Sequence, residues 1–239
     1  MANRITTLFA RAGRLRVVAS GAGLWLMMGA YCGLAVDFTE TFLITDSVDR
    51  IEIDVDDGNV DAVAYDREAI LLKRHTFGYE RILGVPDFTV EDGVIRFEAH
   101  CKKQGVCTFD HLLELPLGIG FDITMLDGRI DLGYVDGPIA VALETGYFRG
   151  VQLGATQCTF TAEAADADLE FAVVPESVTV ELDDGEVYLT VPTGAYRCDF
   201  DVPGEAVLDG TEITCDDAAT STLRVKLGSG TLTVTGTAP

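Results

Sequence analysis

A turn signal that ends in glycine and leads into a short alternating strand recurs along this chain. It constrains the fold more than any other feature. The copies are Asp57-Gly58, Asp127-Gly128, Thr145-Gly146, Asp184-Gly185 and Ser229-Gly230. Glycine suits a sharp corner because it adopts positive φ without steric cost, and an aspartate before it can bond to the amides of the turn. The recurrence predicts a repeat protein whose corners are set by glycine.

The spacing of these turns indicates the size of the repeat. Gly128 and Gly146 are 18 residues apart, Gly146 and Gly185 are 39 apart, and Gly185 and Gly230 are 45 apart. A degenerate copy at 164–171 divides the interval of 39 residues into two steps of about 20. The interval of 45 residues is also read as two steps, with Asp209-Gly210 between them. Near-constant steps of this size are typical of stacked rungs, in which each rung completes the core of its neighbour.

We therefore expect an all-β, single-domain β-solenoid, similar to a parallel β-helix, over residues 45–236, with rungs of about 18–20 residues. Locally, Phe88–Phe97 predicts a hairpin around Asp92-Gly93, and 178–191 predicts another around Asp183-Asp184-Gly185. An antiparallel sandwich is the alternative fold, because its turn signals also recur, although at shorter intervals.

Residues 1–36 are typical of an export signal or N-terminal membrane anchor. A stretch with four arginines and no acids ends at Arg16 and precedes an uncharged apolar run that continues past Tyr31, and the small residues Gly33 and Ala35 fit cleavage after Ala35. An uncleaved hydrophobic helix is the competing expectation, because the run reaches the length of about 20 residues that spans a bilayer. Lipidation of Cys32 fits less well because Tyr31 is not small. All three alternatives place residues 37–239 outside the cytoplasm, in the cell envelope or secreted.

The charge of the remaining chain excludes nucleic acid as a partner. The four arginines of the leader leave 13 of 17 bases there against all 39 acids, a net charge of −26. A phosphate-binding surface needs clustered bases, and Lys102-Lys103 is too small a cluster. The acidity is consistent with solubility of a β-rich surface.

A succession of short motifs resembles the bacterial "putative adhesin" domain known as DUF4097. The motifs are Arg50–Val55 with Asp57–Val60, Leu112–Leu117, Leu126–Ile130, Glu144–Phe148, Asp183–Val187 and Gly228–Leu232. The resemblance covers about 45–236 and implies a β-solenoid-like domain at the cell envelope, with no catalytic residues to carry over. The chain departs from the pattern at Ala165-Asp166, where a glycine is missing, and in its cysteines.

Five cysteines outside the leader predict disulfides in an oxidising compartment. Cys101 and Cys107 enclose five residues and close a small loop readily, and we expect them to pair. Cys198 and Cys215 are 17 residues apart, close to one rung, which brings equivalent positions within disulfide reach. Cys158 is either buried and unpaired or an alternative partner of Cys198. None of these spacings matches a structural zinc site.

The sequence carries no signature of catalysis, so we expect no enzyme activity, cofactor or metal. His75, His100 and His111 lie near no nucleophile motif, and we expect them on the surface or on edge strands. Adjacent acids such as Asp56-Asp57 and Asp183-Asp184 fall where turns are expected, and they do not match a calcium-hand loop.

Three functions remain open. The first is binding of a cell-surface or envelope partner by an adhesin-like surface, with a membrane contact through the leader if it is uncleaved. The second is an envelope scaffold or stress-signalling component. The third is a carbohydrate-active enzyme, which requires a groove that holds two carboxylates with raised pKa values.

Overall fold

The structure, a computed structural model, describes residues 35–79, 87–101, 107–204, 206–209 and 213–237. In this part of the chain there are 14 strands, joined in one sheet, and no helix long and apolar enough to cross a membrane. The strands are β1 (Ala35–Ile44), β2 (Arg50–Tyr65), β3 (Ile70–Tyr79), β4 (Asp87–Glu91), β5 (Val94–Ala99), β6 (Thr108–Pro116), β7 (Gly120–Gly133), β8 (Ile139–Leu153), β9 (Gln157–Phe171), β10 (Ser177–Pro192), β11 (Gly194–Asp201), β12 (Val207–Asp209), β13 (Ile213–Cys215) and β14 (Thr222–Thr237). The predicted all-β class is confirmed.

The predicted N-terminal hydrophobic helix lies outside the described residues. Ala35, the residue expected to precede the cleavage site, begins β1 and pairs with Tyr79 of β3. A cut after Ala35 therefore leaves nearly the whole of β1 on the mature chain.

Six long strands, β2, β7, β8, β9, β10 and β14, lie side by side and run parallel. Alternation directs every second side chain to the same face, and the register keeps these positions aligned from strand to strand. One buried row consists of Ile53, Ile123, Val141, Phe160, Val180 and Val225. The core of the sheet is built from such rows, which explains why each strand needs its neighbours.

A glycine near the middle of five of these strands bends the chain without ending the strand. Gly128 has φ 153° and Gly185 has φ 153°, values that side-chain-bearing residues rarely adopt. The predicted hairpin around Gly185 is wrong: Ser177–Pro192 is one strand, and both halves of it pair with β9 and β14. β9 passes through the same corner with Ala165 opposite Gly146, which confirms the degenerate copy.

Chain order and spatial order differ at both ends of the parallel stack. β14 is the last strand, yet its first half lies between β10 and β11, while β12 pairs with its second half. Likewise β2 lies between β7 and the pair β5 and β6. The 45-residue interval from Gly185 to Gly230 is therefore one step in space and not two, because the chain first forms β11 and β12 and then returns.

Antiparallel strands close the N-terminal end. β3 pairs with β6, and β1 pairs with β3, so that these three strands extend the sheet beyond β2. β4 and β5 form the predicted hairpin, with Asp92 at φ 52° and Gly93 at φ 78° in its turn. We call β1, β3 and β6 together the N-terminal cap.

Candidate binding groove on the outer face

The second halves of the long strands carry an open groove on their outer face. Its volume is about 450 Å³, and its polar and aromatic lining comprises Tyr147, Asp166, Asp168, Glu186 and Tyr188, which we call the tyrosine–acid groove. Strand alternation explains its composition, because the intervening residues Phe148, Ala167 and Val187 are buried. Leu189, Thr190, Thr233 and Thr235 complete the lining.

Strand register brings the tyrosines and acids of the groove together from three successive strands. Tyr147 of β8 lies opposite Asp166 of β9, and Asp168 lies opposite Tyr188 of β10. The two acids of β9 therefore lie between two tyrosines that belong to the strands on either side. The sequence does not reveal this arrangement until the register is known, because the four residues are spread over more than forty positions.

Hydrogen bonds hold the groove in place. Asp166 accepts the backbone N–H of Glu186 at 2.8 Å, and the Tyr188 hydroxyl donates to Glu186 at 3.0 Å. Arg129 places its guanidinium 5.6 Å from the centre of the Tyr147 ring and pairs with Asp131. Arg129 of β7 thus supports the ring of Tyr147 on the neighbouring strand β8.

The groove tyrosines remain protonated. Burial raises the pKa of Tyr147, and the nearby Asp168 carboxylate adds to this effect. The hydrogen bond to Glu186 raises the pKa of Tyr188, which is 47% exposed. The groove therefore offers two neutral aromatic rings and three carboxyl groups, and it can combine stacking with acceptance of hydrogen bonds.

The cysteines form the two predicted disulfides. Cys101 pairs with Cys107, with Cα atoms 6.4 Å apart, and Cys198 pairs with Cys215, with Cα atoms 5.4 Å apart. Cys158 is free and buried, so the alternative pairing of Cys158 with Cys198 is wrong. Burial raises the pKa of the Cys158 thiol to about 12, which makes it unreactive in the folded protein.

The prediction of surface or edge-strand positions for all three histidines is wrong for His111. Its side chain is buried on the inner face of β6, because Phe109, His111, Leu113 and Leu115 alternate toward the core. His75 and His100 are partly exposed, and each lies among carboxylates. His75 contacts Asp37 and Asp110, with Nε2 and Nδ1 at 2.9 and 3.3 Å from the respective oxygens.

Carboxylates with raised pKa values lie away from the grooves. Burial raises the pKa of Asp57, with a further effect from Asp127, and burial together with Asp131 raises the pKa of Asp61. Neither Asp57 nor Asp61 lines the tyrosine–acid groove or three further grooves, of about 380, 260 and 520 Å³, formed by described residues. Within the described ranges, no group of three or more His, Cys, Asp or Glu side chains is placed to hold a metal ion.

Comparison with known proteins gives structural likenesses alone. No family model matches the sequence, and no curated protein matches it. A "putative cell adhesion protein" from Clostridium sporogenes aligns over 84% of this chain and 100% of its own, at 11% identity and a TM-score of 0.48. A "putative adhesin" from Bacteroides fragilis aligns over 84% and 97%, at 10% identity and a TM-score of 0.38. A "putative lipid binding protein" from Parabacteroides distasonis aligns over 82% and 96%, at 13% identity and a TM-score of 0.26.

Proposed function

We propose that this chain is an exported, non-enzymatic protein of the cell envelope, of the adhesin type, that binds a partner through the tyrosine–acid groove. The groove carries the proposal, because it joins an exposed tyrosine ring, Tyr188, and a half-buried one, Tyr147, to three carboxyl groups on the sheet. Small-ligand sites commonly combine aromatic walls with a few fixed polar groups.

The body that presents the groove is a β-solenoid in this proposal. In-register parallel pairing of six long strands, a bend at equivalent glycines and the resemblance to DUF4097 support this architecture. The rungs that follow one another directly begin at Phe121, Ile139, Cys158 and Val178, in steps of 18, 19 and 20 residues.

Export is supported by the leader and by the two disulfides. Structural disulfides persist in oxidising compartments and are rare in the cytosol. N-terminal sequencing of the protein from its own cells distinguishes cleavage after Ala35 from retention as an anchor.

The partner that fits the groove is a surface glycan. Carboxylates accept hydrogen bonds from sugar hydroxyls, and the apolar face of a sugar ring can pack on an aromatic ring. The repeated threonines Thr190, Thr233 and Thr235 along the groove add hydroxyl groups that both donate and accept.

Binding to immobilised glycans tests this function. The body, residues 36–239, is applied to a glycan array beside the double variant Tyr147→Ala, Tyr188→Ala. The matched control is Tyr65→Ala, which removes a tyrosine that is 50% exposed and lies outside the groove. We expect retention of the unaltered body and the control, and at least about a tenfold loss for the double variant. Equal retention of all three proteins, or no retention of any, contradicts the proposal.

A further inference from the structure

One row of inner residues crosses the N-terminal cap and changes from polar to apolar. Glu40 of β1 lies opposite Arg74 of β3, and Arg74 lies opposite His111 of β6. His111 in turn lies beside Val60 of β2, and the row continues with Ile130 of β7. His111 therefore stands at the boundary between the cap and the apolar core of the parallel strands.

Three polar side chains of this region are buried, whereas the Glu40 side chain at the edge of the row is 39% exposed. His111 is 1% exposed, Arg74 is 5% exposed, and Thr76 is fully buried. Arg74 donates through Nε and Nη2 to Glu40, but its Nη1 has no hydrogen-bond partner among the described residues. The same is true of Thr76 Oγ1 and of both ring nitrogens of His111. A neutral imidazole can donate one hydrogen bond and accept another. Burial of both ring nitrogens without such partners therefore lowers the stability of the folded cap.

The surroundings of His111 act in both directions on its charged form, and burial, which disfavours that form, has the largest effect. β2 presents Val60 and β5 presents Phe97, whose ring centre lies 5.2 Å from that of the imidazole. Arg74 is the charged group that faces it from β3, and Asp110 is its charged neighbour on β6. Burial lowers the pKa of His111 to about 4, and the positive charge of Arg74 acts in the same direction, while the Phe109 backbone and the Asp110 carboxylate oppose the shift.

We propose that the N-terminal cap is an acid-opened latch, in which a proton added to His111 places a second positive charge beside Arg74 and separates β1 and β3 from β6. Separation lets water reach both side chains. It also exposes the edge of β6, whose backbone groups can then pair with another chain, and it frees β1, the strand that follows the leader. The latch does not depend on the tyrosine–acid groove, which lies on β8, β9, β10 and β14.

The outer face of the cap carries His75, whose protonation stabilises the cap, in contrast to that of His111. His75 lies between Asp37 of β1 and Asp110 of β6, so its protonated form holds the three strands together. Acid strengthens this contact as long as the carboxylates remain ionised. Opening in acid must therefore originate at the inner histidine.

Amide hydrogen exchange on the body, residues 36–239, measures opening strand by strand. Opening binds a proton because the ordinary pKa of 6.5 is restored, so stability of the cap falls as pH decreases from 6.5 toward about 4. Between pH 7.5 and pH 5 we expect the protection factors of β3 and β6 amides to fall about 30-fold. Protection of β8 and β9 should change far less.

Two variants test whether His111 causes the loss of amide protection in acid. His111→Leu should abolish the acid loss of protection in the cap, whereas His75→Gln, the matched control, should retain it. If His111→Leu does not fold, an NMR titration of the unaltered protein decides: the His111 ring and the cap amides must titrate in one step. Cap protection that is independent of pH, or the same loss in His111→Leu, overturns the proposal.

Discussion

Gly128 lies against Gly58 so closely that a Cβ on Gly128 would come 2.1 Å from the carbonyl oxygen of Gly58. The two residues are partners in the register of β2 and β7, and Gly128 has φ 153°. The neighbouring strands repeat this approach: Gly146 lies against the carbonyl of Gly128, and Gly230 against that of Gly185. At Gly128, Gly146 and Gly230 both the backbone conformation and the distance between strands therefore favour glycine, whereas β9 passes the corner with Ala165, which does not have a positive φ.

Substitution Gly128→Ala should lower the free energy of unfolding by about 3 kcal/mol, because the side chain adds a clash with backbone to an unfavourable φ. For a chain of this size the midpoint of thermal unfolding should fall by about 6–12 °C. Gly204→Ala is the matched control, since a Cβ there meets nothing within 4 Å and the residue has no positive φ. If the two variants have the same midpoint of thermal unfolding in circular dichroism, glycine at position 128 does not stabilise the fold as expected.

His75 should stabilise the protein at mildly acidic pH and not at alkaline pH. The hydrogen bond with Asp37 raises its pKa above 6.5, so the stabilisation is present below 6.5 and is lost as pH rises through the higher folded value. The side chain is 40% exposed, and solvent screening limits the expected contribution to about 0.5 kcal/mol.

A double-mutant cycle measures this contribution. His75→Gln and Asp37→Asn should be non-additive in urea unfolding at pH 6 and additive at pH 8.5. The coupling should also decrease at high salt, because the pair is partly exposed. Coupling that increases with pH would exclude a charged His75.

Thiol labelling should separate the free cysteine from the two disulfides. In residues 36–239, iodoacetamide should modify no cysteine of the native protein, because Cys158 is buried and its pKa is raised to about 12. In denaturant without reductant one thiol should react, and after reduction all five should react. Mass spectrometry counts the labels; more than one label before reduction would show that a disulfide is missing.

The repeat and the disulfide between Cys101 and Cys107 could be predicted because each depends on local spacing. Asp57-Gly58 and its copies mark the corners, and the interval from Cys101 to Cys107 matches a small loop, whereas Cys215 lies opposite Tyr196 in the strand register and reaches Cys198 from there. The interval of 45 residues before Gly230 was misleading, since a return of the chain produces the same glycine spacing as two successive rungs.

The inner position of His111 was available from the sequence and was missed. Phe109, His111, Leu113 and Leu115 fall on one face of an alternating strand, which places the histidine with the apolar residues. Its neighbour Arg74 could not have been predicted, because β3 joins β6 across the intervening β4 and β5. The tyrosine–acid groove was hidden for the same reason, since only strand register places Tyr188 beside Asp168.

Removal of β14 should abolish cooperative folding although it deletes only the last strand. β14 fills the space between β10 and β11, and it buries Leu223, Val225, Leu227, Leu232 and Val234. At roughly 2 kcal/mol for each buried apolar side chain, the loss is about 10 kcal/mol, comparable with the whole stability of a typical domain. In a stack whose chain order followed its spatial order, the same truncation would remove one end and leave the remaining strands paired.

The matched deletion removes β1, an edge strand that pairs with β3 alone among the described strands and buries Phe42 and Ile44. We expect a chain that begins at residue 45 to melt cooperatively at a lower temperature, and a chain that ends at residue 220 to show no cooperative transition and to associate. Thermal circular dichroism and size-exclusion chromatography distinguish these outcomes. A cooperative, monomeric chain without β14 would show that β10 and β11 can close on each other, and that the inserted strand is dispensable.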